Sequence, residues 1–281
     1  MKSEVMQIDV ASVLKQRAPR YYKWMPSFVV LWLERLICQD QLNAILNAIG
    51  DKTGTEAAQI ALRELNITVR ADGLEQIPDE GRSIFASNHP LGGLDGLALI
   101  SLLGEHYNGK IRFLANDLLM AVKPLQDVFL PVNKYGRQSR DRVKDIDEAY
   151  NSDAQMITFP AGLCSRKESG QPVADLPWNK AVVTMAVNHR RDVVPIYFDG
   201  ENSKWFYRWA RWRKKLGIKF NLEMILLPRE MVKSSGKTYH IHVAAPVKWE
   251  TLDKHRPVAQ AAQLRDMVYV MRDKCNQQQT Y

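Results

Sequence analysis

From Asp72-Gly73 onward, short apolar runs alternate with longer amphipathic stretches, and this alternation restricts the fold more than any other feature of the chain. Short apolar runs bounded by turn residues read as strands, and stretches with apolar residues three and four apart read as helices. Strands are expected at Ser83–Ser87, Ile111–Ala115, Val128–Val132, Gln155–Phe159, Val193–Phe198, Leu222–Leu227 and Tyr239–Ala244. Helices are expected at Leu94–His106, Ser139–Asn151, Asn179–Asn188 and Ser203–Leu216, with a last one from about Val258 to Lys274. Strands joined through helices form an α/β fold, here a mixed, partly parallel sheet flanked by helices. Ahead of it, residues 24–65 read as two helices broken around Gly50 to Gly54, an N-terminal two-helix appendage. The expected organisation is a helical segment over 1–70, a candidate for membrane-surface docking, followed by an α/β domain over 71–281.

A chain of 281 residues with 46% hydrophobic and 25% charged residues can bury a full core, which excludes wholesale disorder. Its net charge of +8 favours anionic partners: phospholipid surfaces, nucleic acid or phosphate-rich molecules. Cys38, Cys164 and Cys275 have neither disulfide-framework nor metal-site spacing, which fits a reducing compartment. The first residues lack the apolar centre of a signal peptide, and Phe28 to Leu33 falls far short of the roughly 20 apolar residues a spanning helix needs. The expectation is a cytoplasmic protein, peripheral to the inner face of the cytoplasmic membrane.

The chemistry concentrates where the strand Ser83–Ser87 runs into Asn88-His89-Pro90-Leu91-Gly92-Gly93-Leu94-Asp95. On a continuous helix, residues six apart sit about 240° apart around the axis. Two glycines instead permit a tight turn that could return Asp95 to His89. A carboxylate on one ring nitrogen fixes the tautomer and leaves the other free to take a proton from a hydroxyl. The plainer alternative makes His89 a strand end and Asp95 a helix cap.

Four ordered motifs shift the balance toward the pair. Asn88-His89 with Asp95, Phe129-Leu-Pro-Val-Asn133-Lys134, Phe159-Pro-Ala-Gly-Leu-Cys-Ser165-Arg166 and Val194-Pro195-Ile196 occur in that order. Together they resemble the glycerolipid (lysophosphatidic acid type) acyltransferase superfamily, especially its bacterial hemolysin-like and amino-acid-lipid O-acyltransferase branch. The resemblance implies acyl transfer from acyl carrier protein or acyl-coenzyme A to the hydroxyl of a lyso-lipid, with His89 as general base and Asp95 as its partner. It further implies that Asn133, Lys134, Gly162, Ser165 and Arg166 bind substrate. Neither a cofactor beyond the acyl co-substrate nor a metal is implied. The His-to-Asp spacing is one residue longer than the family's usual one, and two departures bear on the acceptor: Ala161 replaces the usual glutamate, and Asn133 stands where the second block often has an acid. A lyso-amino-acid lipid therefore rivals lysophosphatidic acid. Cys164 reads as a packed thiol with no activating base in view.

Residues 204–215 carry six cations and five aromatics. On a helix, Trp205, Trp209, Trp212 and Leu216 form one stripe, beside Lys204, Arg208, Arg211 and Lys215. Tryptophan and cations together suit an anionic membrane interface. The rival readings are aromatics packed in the core, or nucleic-acid stacking; no recognised nucleic-acid motif accompanies the patch, so lipid ranks ahead. His240 and His242 share a strand face without a clear third metal ligand. The alternative to an enzyme is a non-catalytic lipid-surface or nucleic-acid binding protein on the same scaffold.

Overall fold

The computed structural model describes residues 6–132, 140–168, 170–218 and 221–278. Five helices come first: α1 (Val10–Arg17), α2 (Pro19–Tyr22), α3 (Ser27–Leu36), α4 (Gln39–Ile49) and α5 (Gly54–Glu64). The chain continues through β1 (Thr68–Asp72), β2 (Ser83–Ser87), α6 (Leu94–His106), β3 (Ile111–Asn116), β4 (Phe129–Val132), α7 (Arg140–Asn151) and β5 (Gln155–Thr158). It closes with α8 (Ala181–His189), β6 (Asp192–Asp199), α9 (Lys204–Lys215), α10 (Leu227–Lys233), β7 (Thr238–Val243) and α11 (Pro257–Gln278).

The strands form a mixed seven-stranded sheet in the order β1-β7-β6-β2-β5-β3-β4. Neighbours run parallel throughout except β6 and β7, which are antiparallel. Strand β2 lies in the middle with β5 and β6 on either side, which explains why Ser83–Ser87 is buried along its whole length. Side chains alternate across it, as a pleated strand requires. Phe85 packs with Ile157, Val194, Ile45, Ala57 and Leu99, so α4, α5 and α6 cover one face of the sheet. Ile84 and Ala86 pack with Met156, Val193, Val183 and Leu264, placing α8 and α11 over the other. Helices α4 and α5 thus share the core of the sheet that follows them.

Three local expectations are corrected. Leu222–Leu227 is no strand; it is a 3-10 turn, Leu222–Leu226, leading into α10. Pro228 sits in the first turn of α10, where a missing N–H costs nothing, and Glu223 is drawn inward by two arginines. Strand β1 was not expected, because its exposed and half-buried residues alternate at a sheet edge and show no apolar run. Residues 24–65 hold three helices, since Cys38 adopts the left-handed conformation (φ 57°) and turns the chain between α3 and α4.

Candidate active site

Asn88 prolongs the sheet beyond β2. Its amide donates to the Phe198 carbonyl at 2.9 Å and accepts from the Phe198 N–H at 2.7 Å, as a strand residue would. His89 is thereby fixed at the C-terminal end of the central strand, the edge where open α/β sheets place their ligands. The turn that follows depends on Gly92, whose φ is +83°. A Cβ there would come within 2.6 Å of both Cys164 Sγ and Leu227 Cδ1.

That turn returns Asp95, in the first turn of α6, to the imidazole: His89 Nδ1 and Asp95 Oδ2 lie 3.0 Å apart. An ionised carboxylate only accepts, so Nδ1 carries the hydrogen and the second ring nitrogen faces away from Asp95. Asp95 is wholly buried. Its Oδ2 also accepts from the Leu91 N–H at 2.9 Å and the Gly92 N–H at 3.3 Å, and its Oδ1 from the Gly96 N–H at 2.9 Å. Burial works against its charge, but His89 and the backbone donors outweigh it and hold the carboxyl below its usual value. Burial likewise disfavours charging His89, yet the Asp95 carboxylate and the Cys164 sulfur prevail and hold the imidazole well above the ordinary histidine range. The side chain of His89 remains 14% exposed, so the imidazole is not sealed from solvent.

Strand β5 supplies the opposite wall. The Phe159 ring stacks on the His89 imidazole with centroids 3.9 Å apart and planes 20° apart. Gly162, with φ +65°, closes the turn after it and donates its N–H to the Phe159 carbonyl at 2.9 Å. Ser165, expected to touch substrate, is buried instead: its N–H donates to the His89 carbonyl at 2.7 Å and its hydroxyl to Asp175 Oδ1 at 2.6 Å. Arg166 donates from Nη1 to the Cys164 carbonyl at 3.1 Å and from Nη2 to Glu223 Oε1 at 3.0 Å. Arg213 Nε lies 2.7 Å from the other oxygen of the same buried carboxylate. Two guanidiniums on one carboxylate leave a net positive charge beside the Cys164 carbonyl. Asn133 and Lys134 lie outside the described residues.

Sequence reasoning missed Asp175, Glu223 and the Phe159 stack. Asp175 offered a signal, a lone carboxylate within the apolar Val173-Ala-Asp-Leu-Pro-Trp178. Cys164, expected to have no base nearby, hydrogen-bonds the His89 imidazole. A hollow of about 280 Å³ opens beside Asn88, Pro90 and Ser165. A larger one, about 850 Å³, lies by Lys110, Ile111 and Ala154, at the opposite end of the parallel strands from His89.

On α9, Phe206, Tyr207 and Ala210 face inward, whereas Trp209 (46% exposed) and Trp212 (64%) face out. Arg208, Arg211, Lys215 and Leu216 are exposed beside them. Trp205 is half-buried under the Arg229 guanidinium, so it leaves the outer stripe. Helix α3 and the turn before it likewise expose Trp24 (87%), Phe28 (70%), Leu31 and Trp32. Its last residue, Leu36, packs with Phe206, Tyr207 and Leu226, joining the two helices at one cluster. No helix among the described residues is long and apolar enough to cross a membrane. The described residues hold no group of three or more His, Cys, Asp or Glu that could bind a metal; His242 pairs with Asp72 at 3.3 Å.

An imidazole oriented by a buried carboxylate has the chemistry to take a proton from a hydroxyl. The chain belongs to the acyltransferase family, which it matches over residues 12–279, and it is an acyltransferase. That membership sets aside the non-catalytic reading. It is 44% identical over 263 residues, 93% of its length, to the lyso-glycine lipid O-acyltransferase of Bacteroides thetaiotaomicron, of which 96% is covered. The lyso-glycine lipid O-acyltransferase of Phocaeicola vulgatus is also 44% identical, over 266 residues, with 94% of this chain and 95% of the relative aligned. Among solved structures, the 1-acyl-sn-glycerophosphate (LPA) acyltransferase PlsC of Thermotoga maritima is similar with a TM-score of 0.47 and 16% identity, covering 88% of this chain and 98% of that one.

Proposed function

We propose that this acyltransferase moves a fatty acyl group from a thioester, acyl carrier protein or acyl-coenzyme A, onto the hydroxyl of a lyso-glycine lipid, with His89 as general base. The 3.0 Å contact between His89 Nδ1 and Asp95 Oδ2 carries the chemical part of the reading. The acceptor rests on the two relatives named for that lipid and on local chemistry. Ala161 stands where phosphate-acceptor enzymes usually carry glutamate, and Arg166 already spends one donor on Glu223. Lysophosphatidic acid is therefore the less favoured acceptor.

In the reaction, the His89 nitrogen turned away from Asp95 exchanges its Cys164 contact for the acceptor's hydroxyl and takes its proton as the oxygen attacks the thioester carbonyl. The imidazolium that forms is held by Asp95. Collapse of the tetrahedral intermediate breaks the carbon–sulfur bond, and His89 returns the proton to the departing thiolate. An ester and a free thiol result, with no cofactor and no covalent acyl-enzyme.

The acceptor is a membrane lipid, and the enzyme works as a peripheral protein at the inner face of the cytoplasmic membrane. Trp209 and Trp212 on α9, with Trp24, Phe28 and Trp32 around α3, present apolar surface to the headgroup region, beside Arg208, Arg211 and Lys215. Each cation near an anionic surface contributes about 1 kcal/mol.

The deciding experiment incubates the purified protein with acyl-thioester donors and a panel of lyso-lipids and reads acceptor-dependent thiol release. Release with a lyso-glycine lipid, abolished by His89→Ala, is expected. Release only with lysophosphatidic acid would reassign the acceptor, and full turnover by His89→Ala would remove the base.

A further inference from the structure

Every hydrogen bond that fixes the main chain of His89 on the side away from Asp95 leads to one buried carboxylate. Asp175 Oδ1 accepts from the His89 N–H at 3.2 Å and from the Ser165 hydroxyl at 2.6 Å. Ser165 in turn donates its N–H to the His89 carbonyl at 2.7 Å. Both backbone groups of His89 are therefore engaged by a two-residue clamp. The second oxygen of Asp175 accepts from Trp178 Nε1 at 2.9 Å, so among the described residues the hydrogen-bond donors to this carboxylate are neutral.

Asp175 is itself held from two directions. The segment containing it folds back on the loop after β5 through paired backbone bonds between Arg166 and Ala174, at 2.8 and 3.0 Å. Helix α11 then pins it: the Asp175 N–H donates to the Tyr269 hydroxyl at 2.6 Å, and Arg265 Nη2 donates to the Asp175 carbonyl at 2.8 Å. A carboxylate kept in place by two segments and aimed at the backbone of the catalytic histidine is costly to bury. Burial pushes its pKa up, against the Ser165, Trp178 and His89 donors and the His89 charge. A neutral asparagine would satisfy most of the same geometry.

We propose that Asp175 is a positioning residue for the acyl transfer: with Ser165 it clamps the backbone of His89 and sets a second buried negative charge behind the imidazole. The proposal rests on His89 being the base. The charged or titratable groups around that imidazole are Asp95 from α6, Cys164 from the loop after β5, and Asp175. Removing one of the two carboxylates lowers the affinity of His89 for its proton and loosens its aim, without touching substrate.

The test compares Asp175→Asn, Asp175→Ala and Ser165→Ala in the full chain. It measures kcat, KM, thermal melting and the titration of the His89 ring by NMR. Asp175→Asn is expected to lower kcat about tenfold with KM within threefold of the parent, and to move the His89 titration down by about one unit. Asp175→Ala is expected to lose about 100-fold in kcat, and Ser165→Ala less than either, since its backbone N–H still reaches the His89 carbonyl. A folded Asp175→Asn protein with parental kcat and an unmoved His89 titration overturns the proposal. So does a fall in kcat matched by an equal loss of folded protein. If Asp175→Ala does not fold, the other two variants decide. Failure of His89 as the base looks different: His89→Ala would then turn over, while the His89 titration would still move in Asp175→Asn.

Discussion

Replacing Asp95 by asparagine changes one atom at the centre of four hydrogen bonds. With its carbonyl oxygen in the place of Oδ2, asparagine keeps the bonds from His89, Leu91 and Gly92, but its amide then faces the Gly96 N–H, donor against donor. The reverse orientation presents two donors to three others and forces His89 into the tautomer in which Nδ1 accepts and the outer nitrogen is protonated, which cannot act as base. An unpaired Gly96 N–H costs about 1–3 kcal/mol of stability. The catalytic loss is larger. At 3.0 Å and an effective dielectric near 20, the attraction between the Asp95 carboxylate and the imidazolium formed during transfer is about 5 kcal/mol. At 1.36 kcal/mol per decade this corresponds to a fall in kcat of about 10³ to 10⁴. The assay is thiol release from an acyl thioester in the presence of a lyso-glycine lipid, with circular dichroism and thermal melting on the same sample. A folded Asp95→Asn enzyme within tenfold of the parent rate would show that the carboxylate does not support charge on His89, and the general-base account would have to be abandoned.

Three further outcomes are expected. Cys164→Ala should turn over within about fivefold of the parent, because the proposed route makes the acceptor hydroxyl, not the thiol, the nucleophile; a thousandfold loss together with a trapped acyl-thioester on Cys164 would establish a covalent route. The acid limb of kcat/KM should have its inflection above pH 6.5, because His89 is held above that value and must be neutral to act. The sign for stability follows: the contribution of the raised imidazole is complete below 6.5 and is lost as pH rises through the folded value, so an inflection at or below 6.5 contradicts the ion pair. Trp209→Ala with Trp212→Ala should reduce flotation with anionic vesicles severalfold and leave turnover of a detergent-dispersed acceptor near parental; binding indifferent to both tryptophans and to salt would move the membrane contact elsewhere.

Alternating runs of apolar and amphipathic residues were enough to give an α/β sheet, because strand and helix periodicities are written in neighbouring residues. The same local information located His89 and Asp95, since the glycines between them showed that the chain turns rather than continuing a helix. It failed where a residue's fate depends on partners distant in sequence. The run Leu222–Leu227 has the composition of a strand, yet Arg166 and Arg213 draw Glu223 into the interior and the backbone coils around it. The tryptophan stripe of α9 could have been core; the burial of Phe206, Tyr207 and Ala210 turned Trp209 and Trp212 outward. Arg191 follows a helix end, where a cation needs no partner beyond the helix dipole, but it is wholly buried and donates to the carbonyls of Tyr150, Ser152 and Ala154.

By itself, then, the sequence determined which histidine and which carboxylate stand side by side, because six positions and a tight turn suffice to join them. Only the tertiary structure decided that Asp175, 86 positions further on, grips that histidine from behind. A hydrogen bond between a loop and the end of a distant strand leaves no periodic trace in the chain that makes it.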